Sequence, residues 1–173
     1  MMYNGEQEYD LSEQYILECT SRFTKNVVGY DYISTCNGGY IDFSSELVRI
    51  NGAPSESSYP YTAINYSGST YPITPDICKA SPTYLYAKNP NDTTLSVYQN
   101  VSNSDMKALL VNGPVGVLFY ANTAFQAYKS GIFSDCPTSF NDSYDAINHA
   151  VVVVGYTSDG NYIIKNSWGT SWG

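Results

Sequence analysis

His149 is the only histidine in the 173-residue sequence, and Asn166 follows it across a predicted hairpin. Val151–Val154 and Tyr162–Ile164 are apolar runs typical of strands, and Thr157–Asn161 predicts the loop that joins them. Because a hairpin brings its two outer ends together, we expect His149 and Asn166 to meet at the same end. An amide that holds an imidazole in one tautomer is an arrangement suited to general acid–base chemistry.

Short sequence blocks stand in a fixed order around this hairpin. They are Leu11–Gln14 with Cys19, Cys36–Gly39, Tyr59–Tyr61, Gly113–Val115, Tyr128–Phe133, Asn148–Val151 with Gly155 and Tyr156, and Lys165–Gly173. Together the blocks resemble the papain-like, cathepsin-type cysteine proteases over nearly the whole chain. The resemblance implies an α+β fold of two lobes, and a Cys-His-Asn triad in which His149 is the base and Asn166 orients it.

The resemblance also implies how the lobes divide the chain. Residues 1–94 match the left lobe, which is mostly helical or irregular. Residues 95–173 match the right lobe, an antiparallel β structure that carries His149 and Asn166. We expect the boundary between the lobes within Asn89–Leu95.

The sequence departs from the family at both ends. In the family, the nucleophilic cysteine lies in a Gln…Cys-Gly-Ser-Cys-Trp segment upstream of the Leu-Ser-Glu-Gln block. That block begins here at Leu11, and residues 1–10 contain no cysteine. We therefore expect an incomplete fold without the nucleophile, the oxyanion-hole glutamine and the closing strands after Gly173. We also expect that this chain is inactive by itself.

The resemblance assigns further residues to substrate binding. Gly38 and Gly39 would offer backbone to an extended peptide, although a Gly-Gly pair alone more often marks a tight turn. Trp168 would cover the His–Asn contact and shape the leaving-group side of the cleft, whereas Trp172 is assigned to packing. The family's main specificity pocket is matched by Tyr40, Ile41, Leu118, Ile147 and Ala150, and Asn148 is a further substrate-binding position. These apolar or aromatic pocket residues imply a preference for a hydrophobic substrate side chain, although without the resemblance they would more often be core.

The four cysteines are compatible with two disulfides, but their number does not give the connectivity. The resemblance pairs Cys19 with Cys78. It matches Cys36 and Cys136 to cysteines whose partners lie in the two absent segments. A Cys36–Cys136 bridge is the alternative, although these residues fall in different predicted lobes.

Four Asn-X-Ser/Thr sequons lie in polar stretches that indicate surface loops. Their asparagines are Asn65, Asn91, Asn100 and Asn141. Such short motifs also arise by chance in a chain rich in Asn and Ser. Together with the cysteines they favour the secretory route, and hence a lysosomal, vacuolar or extracellular protein. Residues 1–6 show neither the basic start nor the apolar stretch of a signal peptide.

Composition excludes several classes of partner. The net charge of −8 and the pI near 4.3 argue against nucleic acid or an anionic membrane surface, since both would repel the chain. No apolar run approaches the roughly 20 residues of a membrane span. One histidine and scattered cysteines do not form a zinc site, and we predict no metal and no cofactor. The expected partners are a peptide or protein substrate, and the absent N-terminal segment or another protein that covers the truncated lobe.

Local signals predict the elements that position these residues. Ser12 is the expected N-cap of a helix that runs to about Cys19. A second helix follows Gly39 and ends at Asn51-Gly52, with an apolar face of Tyr40, Phe43, Leu47 and Ile50. Residues 53–90 should be irregular. The right lobe should contain a helix over Asp105–Val111 capped by Ser104, a strand over Val115–Tyr120, and one helical turn capped by Thr123 that extends through Tyr128.

Three hypotheses follow. The first is a papain-like cysteine endopeptidase in which this chain supplies the base and its orienting amide. The second is a catalytically inactive homologue, a glycoprotein that binds peptides or a partner through the remaining cleft. The third is a truncated gene product that is only marginally folded.

Overall fold

A computed structural model describes residues 9–24, 29, 36, 38–62, 78, 96–135 and 147–173. The chain divides into two compact units, Met1–Val97 and Tyr98–Gly173. The boundary expected from sequence lies between residues 94 and 95. The elements are α1 (Glu13–Phe23), α2 (Ile41–Asn51), α3 (Asn103–Asn112), β1 (Val115–Phe119), α4 (Thr123–Gln126), β2 (His149–Tyr156) and β3 (Tyr162–Lys165).

Helix α1 begins at a fully buried serine. The Ser12 hydroxyl accepts a hydrogen bond from the backbone N–H of Tyr15 at 3.0 Å and donates one to the carbonyl of Tyr59 at 2.6 Å. The predicted N-cap is therefore correct. The predicted end near Cys19 is wrong, because the helix continues to Phe23, whose side chain is buried. The polar residues after Cys19 fit the helix because a hydroxyl such as that of Thr20 donates to the carbonyl one turn earlier.

A disulfide ties α1 to a distant part of the first unit. Cys19 and Cys78 are bonded, with Cα atoms 4.7 Å apart, as the family resemblance implied. The guanidinium of Arg22, one turn along the same helix, donates to the carbonyl of Cys78 at 3.3 Å. Cys19 lies within the buried cluster of this unit, which also contains Tyr15, Phe23, Leu47 and Ala53.

Helix α2 ends where the sequence predicted. Gly52 adopts a φ of 80°, a left-handed conformation that favours glycine, and its N–H bonds the carbonyl of Val48 at 2.8 Å. The predicted apolar face is only partly correct. Leu47 is buried at 1% exposure, whereas Tyr40, which precedes the helix, is 48% exposed.

The second unit is built on a three-stranded antiparallel sheet of order β1-β2-β3. The register pairs Phe119 with His149 and Leu118 with Ala150. Val151 and Val153 of β2 are buried, and α3 packs against the same strand. The predicted hairpin is confirmed, since residues 157–161 connect β2 to β3.

Two predicted helix caps in this unit are wrong by one or two positions. Ser102, not Ser104, caps α3, and its hydroxyl accepts from the N–H of Asp105 at 3.2 Å. Asn122, not Thr123, caps α4 through its side-chain oxygen. In both cases a good capping residue stands slightly earlier in the sequence, and the helix begins at the earlier one. Strand β1 likewise ends one residue before its predicted end at Tyr120.

Candidate active site

His149 and Asn166 meet at one end of the β2–β3 hairpin. His149 is the first residue of β2, and Asn166 directly follows the last residue of β3. The imidazole Nε2 lies 2.9 Å from the Asn166 side-chain Oδ1. The contact predicted from the hairpin is therefore confirmed.

A backbone group fixes which way the Asn166 amide faces. The N–H of Ser167 donates to Asn166 Oδ1 at 2.8 Å. A backbone N–H can only donate, so the oxygen, not the nitrogen, must lie at this position. The same oxygen can only accept from His149, so Nε2 carries the proton in the neutral ring. Nδ1 is then left with the basic lone pair.

The other atom of this amide is not satisfied in the same way. Asn166 Nδ2 is buried and has no hydrogen-bond partner within the described part of the chain. A buried unpaired donor costs about 1–3 kcal/mol. The amide is thus held by its oxygen alone, and this oxygen is the atom that orients the imidazole.

Trp168 covers the imidazole. The two rings stack with centroids 4.6 Å apart and planes inclined by 25°. The indole excludes water from this side of the ring, which strengthens the His149–Asn166 hydrogen bond by lowering the local dielectric. The predicted packing of Trp168 over the pair is confirmed.

Trp172 packs as the sequence predicted. Its ring meets Trp168 edge-on at 5.5 Å, and its indole N–H donates to the carbonyl of Phe125 at 2.9 Å. No sequence motif singled out Phe125. This residue is 3% exposed and contacts both indoles, at centroid distances of 5.7 Å and 5.0 Å. The only local signal was the capping residue Asn122, which accepts from the N–H of Phe125 at 2.7 Å.

The side chain of Asn148 is engaged with backbone. Its Oδ1 accepts from the N–H of Ala121 at 2.8 Å, and its Nδ2 donates to the carbonyl of the same residue at 3.2 Å. The N–H of Asn148 also bonds the carbonyl of Phe119 at 3.3 Å. These contacts join the residue before His149 to the segment that follows β1. The structure thus gives Asn148 a positioning role, and its predicted contact with substrate stays a prediction.

Two of the predicted pocket residues form a cross-strand pair. Leu118 is 43% exposed and lies opposite Ala150, which is also exposed. Since successive residues of a strand alternate between faces, this pair lies on the face opposite His149. Ile147 is half-buried just before β2. Leu118 and Ala150 therefore do not share a face with the His–Asn pair, and the contact of these pocket residues with a substrate stays a prediction.

The other predicted positions lie in the first unit or outside the described residues. Gly38, Gly39 and Tyr40 are exposed immediately before α2, which begins at Ile41, and Gly38 has a φ of 142°. Their contact with a peptide stays a prediction. Asn100 is exposed, and Cys36 is exposed. The remaining predicted sites lie outside the described residues: Asn65, Asn91, Cys136 and Asn141.

Neither a cluster of metal ligands nor a helix able to span a membrane is present among the described residues. No group of three or more His, Cys, Asp or Glu side chains among them could hold a metal ion. None of the described helices has the length and apolar character needed to cross a bilayer.

The comparison with known families identifies the class of protein. The family model described as "Papain family cysteine protease" matches residues 1–173. This match spans the sheet and the His149–Asn166 pair described above. The chain belongs to the papain family of cysteine proteases.

Individual relatives agree with this assignment. The chain is 33% identical over 172 residues to a probable cysteine protease, RD21C, of Arabidopsis thaliana, covering 94% of this chain and 31% of that protein. It is 35% identical over 173 residues to cathepsin L2 of Homo sapiens, covering 94% of this chain and 44% of that protein. The chain therefore spans less than half the length of these two relatives.

Solved structures show the same fold. A cysteine protease from Carica candamarcensis in complex with E-64 matches with a TM-score of 0.65 and 29% identity, covering 96% of this chain and 65% of that one. Bromelain from Ananas comosus in complex with the E64 inhibitor matches with a TM-score of 0.57 and 28% identity, covering 98% of this chain and 67% of that one. The helices and antiparallel sheet described above are thus part of a papain-like α+β fold.

Proposed function

We propose that His149 and Asn166 are the general base and its orienting amide in a cysteine-type endopeptidase. The single observation that supports this most strongly is the Asn166 oxygen, which accepts from Ser167 N–H and lies 2.9 Å from His149 Nε2. It leaves Nδ1 as the atom that exchanges protons with a nucleophile and a leaving group.

The chemistry follows from that tautomer. Nδ1 takes the proton of a cysteine thiol, and the thiolate attacks the peptide carbonyl carbon. The protonated imidazole then gives this proton to the leaving amine as the C–N bond breaks. Water next attacks the acyl-cysteine carbonyl carbon while Nδ1 accepts its proton. The C–S bond then breaks, the acid is released, and the imidazolium returns the proton to the thiolate. General acid–base catalysis of this kind contributes about 10²–10⁴-fold to the rate.

The nucleophilic thiol of the proposed enzyme is none of the four cysteines of this sequence. Cys19 and Cys78 are bonded to each other. Family resemblance matches Cys36 and Cys136 to cysteines that form disulfides. We propose instead that the thiol comes from a segment of the family's Gln…Cys-Gly-Ser-Cys-Trp type outside these 173 residues.

A complementation experiment tests this proposal. The 173-residue chain should not hydrolyse a fluorogenic peptide with a hydrophobic residue second from the cut. The same chain fused to a family-type cysteine segment, or mixed with it, should hydrolyse that peptide. His149→Ala should abolish the recovered activity, whereas Tyr156→Phe, a change at the far end of β2, should leave it unchanged.

Two results would count against the proposal. Hydrolysis by the chain alone, lost in His149→Ala, would show that one of its own cysteines is the nucleophile. A complemented chain that binds peptides without turning them over would favour the catalytically inactive, peptide-binding homologue.

The proposed location is the secretory route, ending in a lysosome, a vacuole or the extracellular space. The Cys19–Cys78 disulfide supports it, because structural disulfides persist mainly in oxidising compartments. Glycans on the four sequons would accompany this route. Mass spectrometry of the protein from its native source, before and after enzymatic removal of N-linked glycans, tests both expectations.

A further inference from the structure

An open pocket of about 350 Å³ lies beside the indole that stacks on the imidazole. All of its lining residues belong to the second unit: Gln126, Lys129, Trp168, Ser171 and Trp172. One wall, Trp168, is therefore shared between this pocket and the His–Asn pair.

The pocket has an unusual charge for this chain. The sequence contains 16 acidic and only 8 basic residues, yet the lining includes a lysine and no carboxylate. Lys129 Nζ donates to the carbonyl of Ser171 at 3.3 Å and makes no ion pair with any residue that the structure describes. An ammonium group has three donors, so two remain for a ligand.

The remaining walls favour the same kind of ligand. The two indoles offer flat apolar surfaces against which the methylene groups of a side chain can pack. Gln126 uses its amide nitrogen to bond the carbonyl of Ala121 at 3.3 Å. A short apolar stem that ends in an anionic group fits this lining.

We propose that this pocket binds a carboxylate on the peptide released from the amine side of the cleaved bond, with Lys129 as the residue that selects it. The inference rests on the proposed function, because it takes His149 as the group that protonates the leaving amine. That amine must lie within about 2.6–3.2 Å of the imidazole nitrogen. Because Trp168 both stacks on the imidazole and lines the pocket, residues that follow the amine can reach Lys129 along this indole.

The carboxylate has two possible sources. It is either the side chain of Asp or Glu close behind the cut, or the C-terminal carboxylate of a short leaving peptide. Both present the same group to Lys129. Peptides that carry Glu or Gln at one position, each with a free or an amidated C-terminus, distinguish them.

Tryptophan emission measures binding at this pocket directly. The chain has only two tryptophans, and both line the pocket. Excitation at the red edge of the absorption band avoids the 18 tyrosines. Because this assay needs no thiol and no turnover, it tests the pocket even if the peptidase proposal fails.

We expect carboxylate-bearing peptides to bind the 173-residue chain about two- to fivefold more tightly than their neutral counterparts at low ionic strength, as for a solvent-exposed ion pair. Added salt should reduce this preference. Lys129→Met, which keeps the aliphatic stem, should abolish it, and Lys129→Arg should retain it.

The matched control is Lys107→Met. Lys107 lies over the ring of Tyr156 at the opposite end of β2, and its removal changes the net charge equally. The preference should survive in this variant. Equal affinity for acidic and neutral peptides, no change in tryptophan emission with any peptide, or equal loss in the two methionine variants would overturn the proposal.

Discussion

The two units hold their structure by different means. The first unit buries polar groups: Gln14 donates to Glu18 at 2.8 Å, and the Tyr59 hydroxyl bonds the same carboxylate. The second unit buries aromatic rings around Phe125, and the sheet register sets the position of the reactive pair. The first unit adds buried hydrogen bonds and a disulfide to its cluster of Tyr15, Phe23 and Leu47, whereas ring packing around Phe125 supports the residues proposed for catalysis.

Among the substitutions that test this difference between the units, Phe125→Ala should cause the largest loss of unfolding free energy. Removal of a buried aromatic ring costs about 3–5 kcal/mol of unfolding free energy. Denaturant unfolding followed by tryptophan emission measures it, since both tryptophans contact Phe125. The comparison variant is Phe43→Ala in the first unit, where the ring is only partly buried and the loss should be smaller. Far-ultraviolet circular dichroism follows this variant, because both tryptophans lie in the second unit. Equal losses would show that burial of the ring does not set the size of the loss.

The next effect is expected from removal of the disulfide in Cys19→Ser with Cys78→Ser. A bridge with a sequence separation of 59 restricts the unfolded chain, and its loss should cost about 2–4 kcal/mol. Denaturant unfolding followed by far-ultraviolet circular dichroism measures this loss. The tryptophan signal of the second unit should retain its native spectrum in buffer. A collapse of that spectrum would show that the bridge also supports the second unit.

Removal of a helix cap should destabilise the protein less than the preceding variants, and by different amounts in the two units. Ser12→Ala removes a buried hydroxyl that makes two hydrogen bonds, whereas Asn122→Ala removes a less buried cap. We expect Ser12→Ala to cost about 2 kcal/mol of unfolding free energy and Asn122→Ala about 1 kcal/mol, within the range measured for such caps. Thermal unfolding of both variants tests the order. The reverse order would mean that the contact of Ser12 with Tyr59 adds nothing.

The smallest effect concerns an ion pair on α2. Two side-chain hydrogen bonds from Arg49, at 2.7 Å and 2.5 Å, lower the pKa of Glu46 below its ordinary value of 4.5. A lowered pKa in the folded state stabilises the protein above the unfolded pKa, and this contribution is lost as the pH falls through the folded value. Glu46→Gln should cost about 0.2–1 kcal/mol at neutral pH.

The pH dependence supplies the control for that variant. Unfolding free energies of Glu46→Gln and the parent chain should converge as the solution is acidified below pH 4.5. A difference that persists unchanged into strong acid would assign the effect of the substitution to packing instead of charge.

Local pattern was sufficient for part of this molecule. The valine run and the Thr157–Asn161 loop predicted the β2–β3 hairpin, and the hairpin predicted that His149 meets Asn166. The Ser12 cap and the Gly52 stop were also predicted, because each depends on φ and ψ angles and on neighbours within one turn. Family resemblance, not spacing, supplied the Cys19–Cys78 pairing.

Tertiary structure alone decided the rest. Burial of Phe23 extends α1 beyond its predicted end, and Asn148 bonds Ala121 across a separation of 27 residues. Phe125 contacts Trp168 and Trp172 only because α4 and the chain after β3 come together in space. Sequence determined which residues could carry an acid–base pair, since that depends on side-chain chemistry and local periodicity. Long-range packing decided which residues surround and support this pair, and no local pattern encodes such packing.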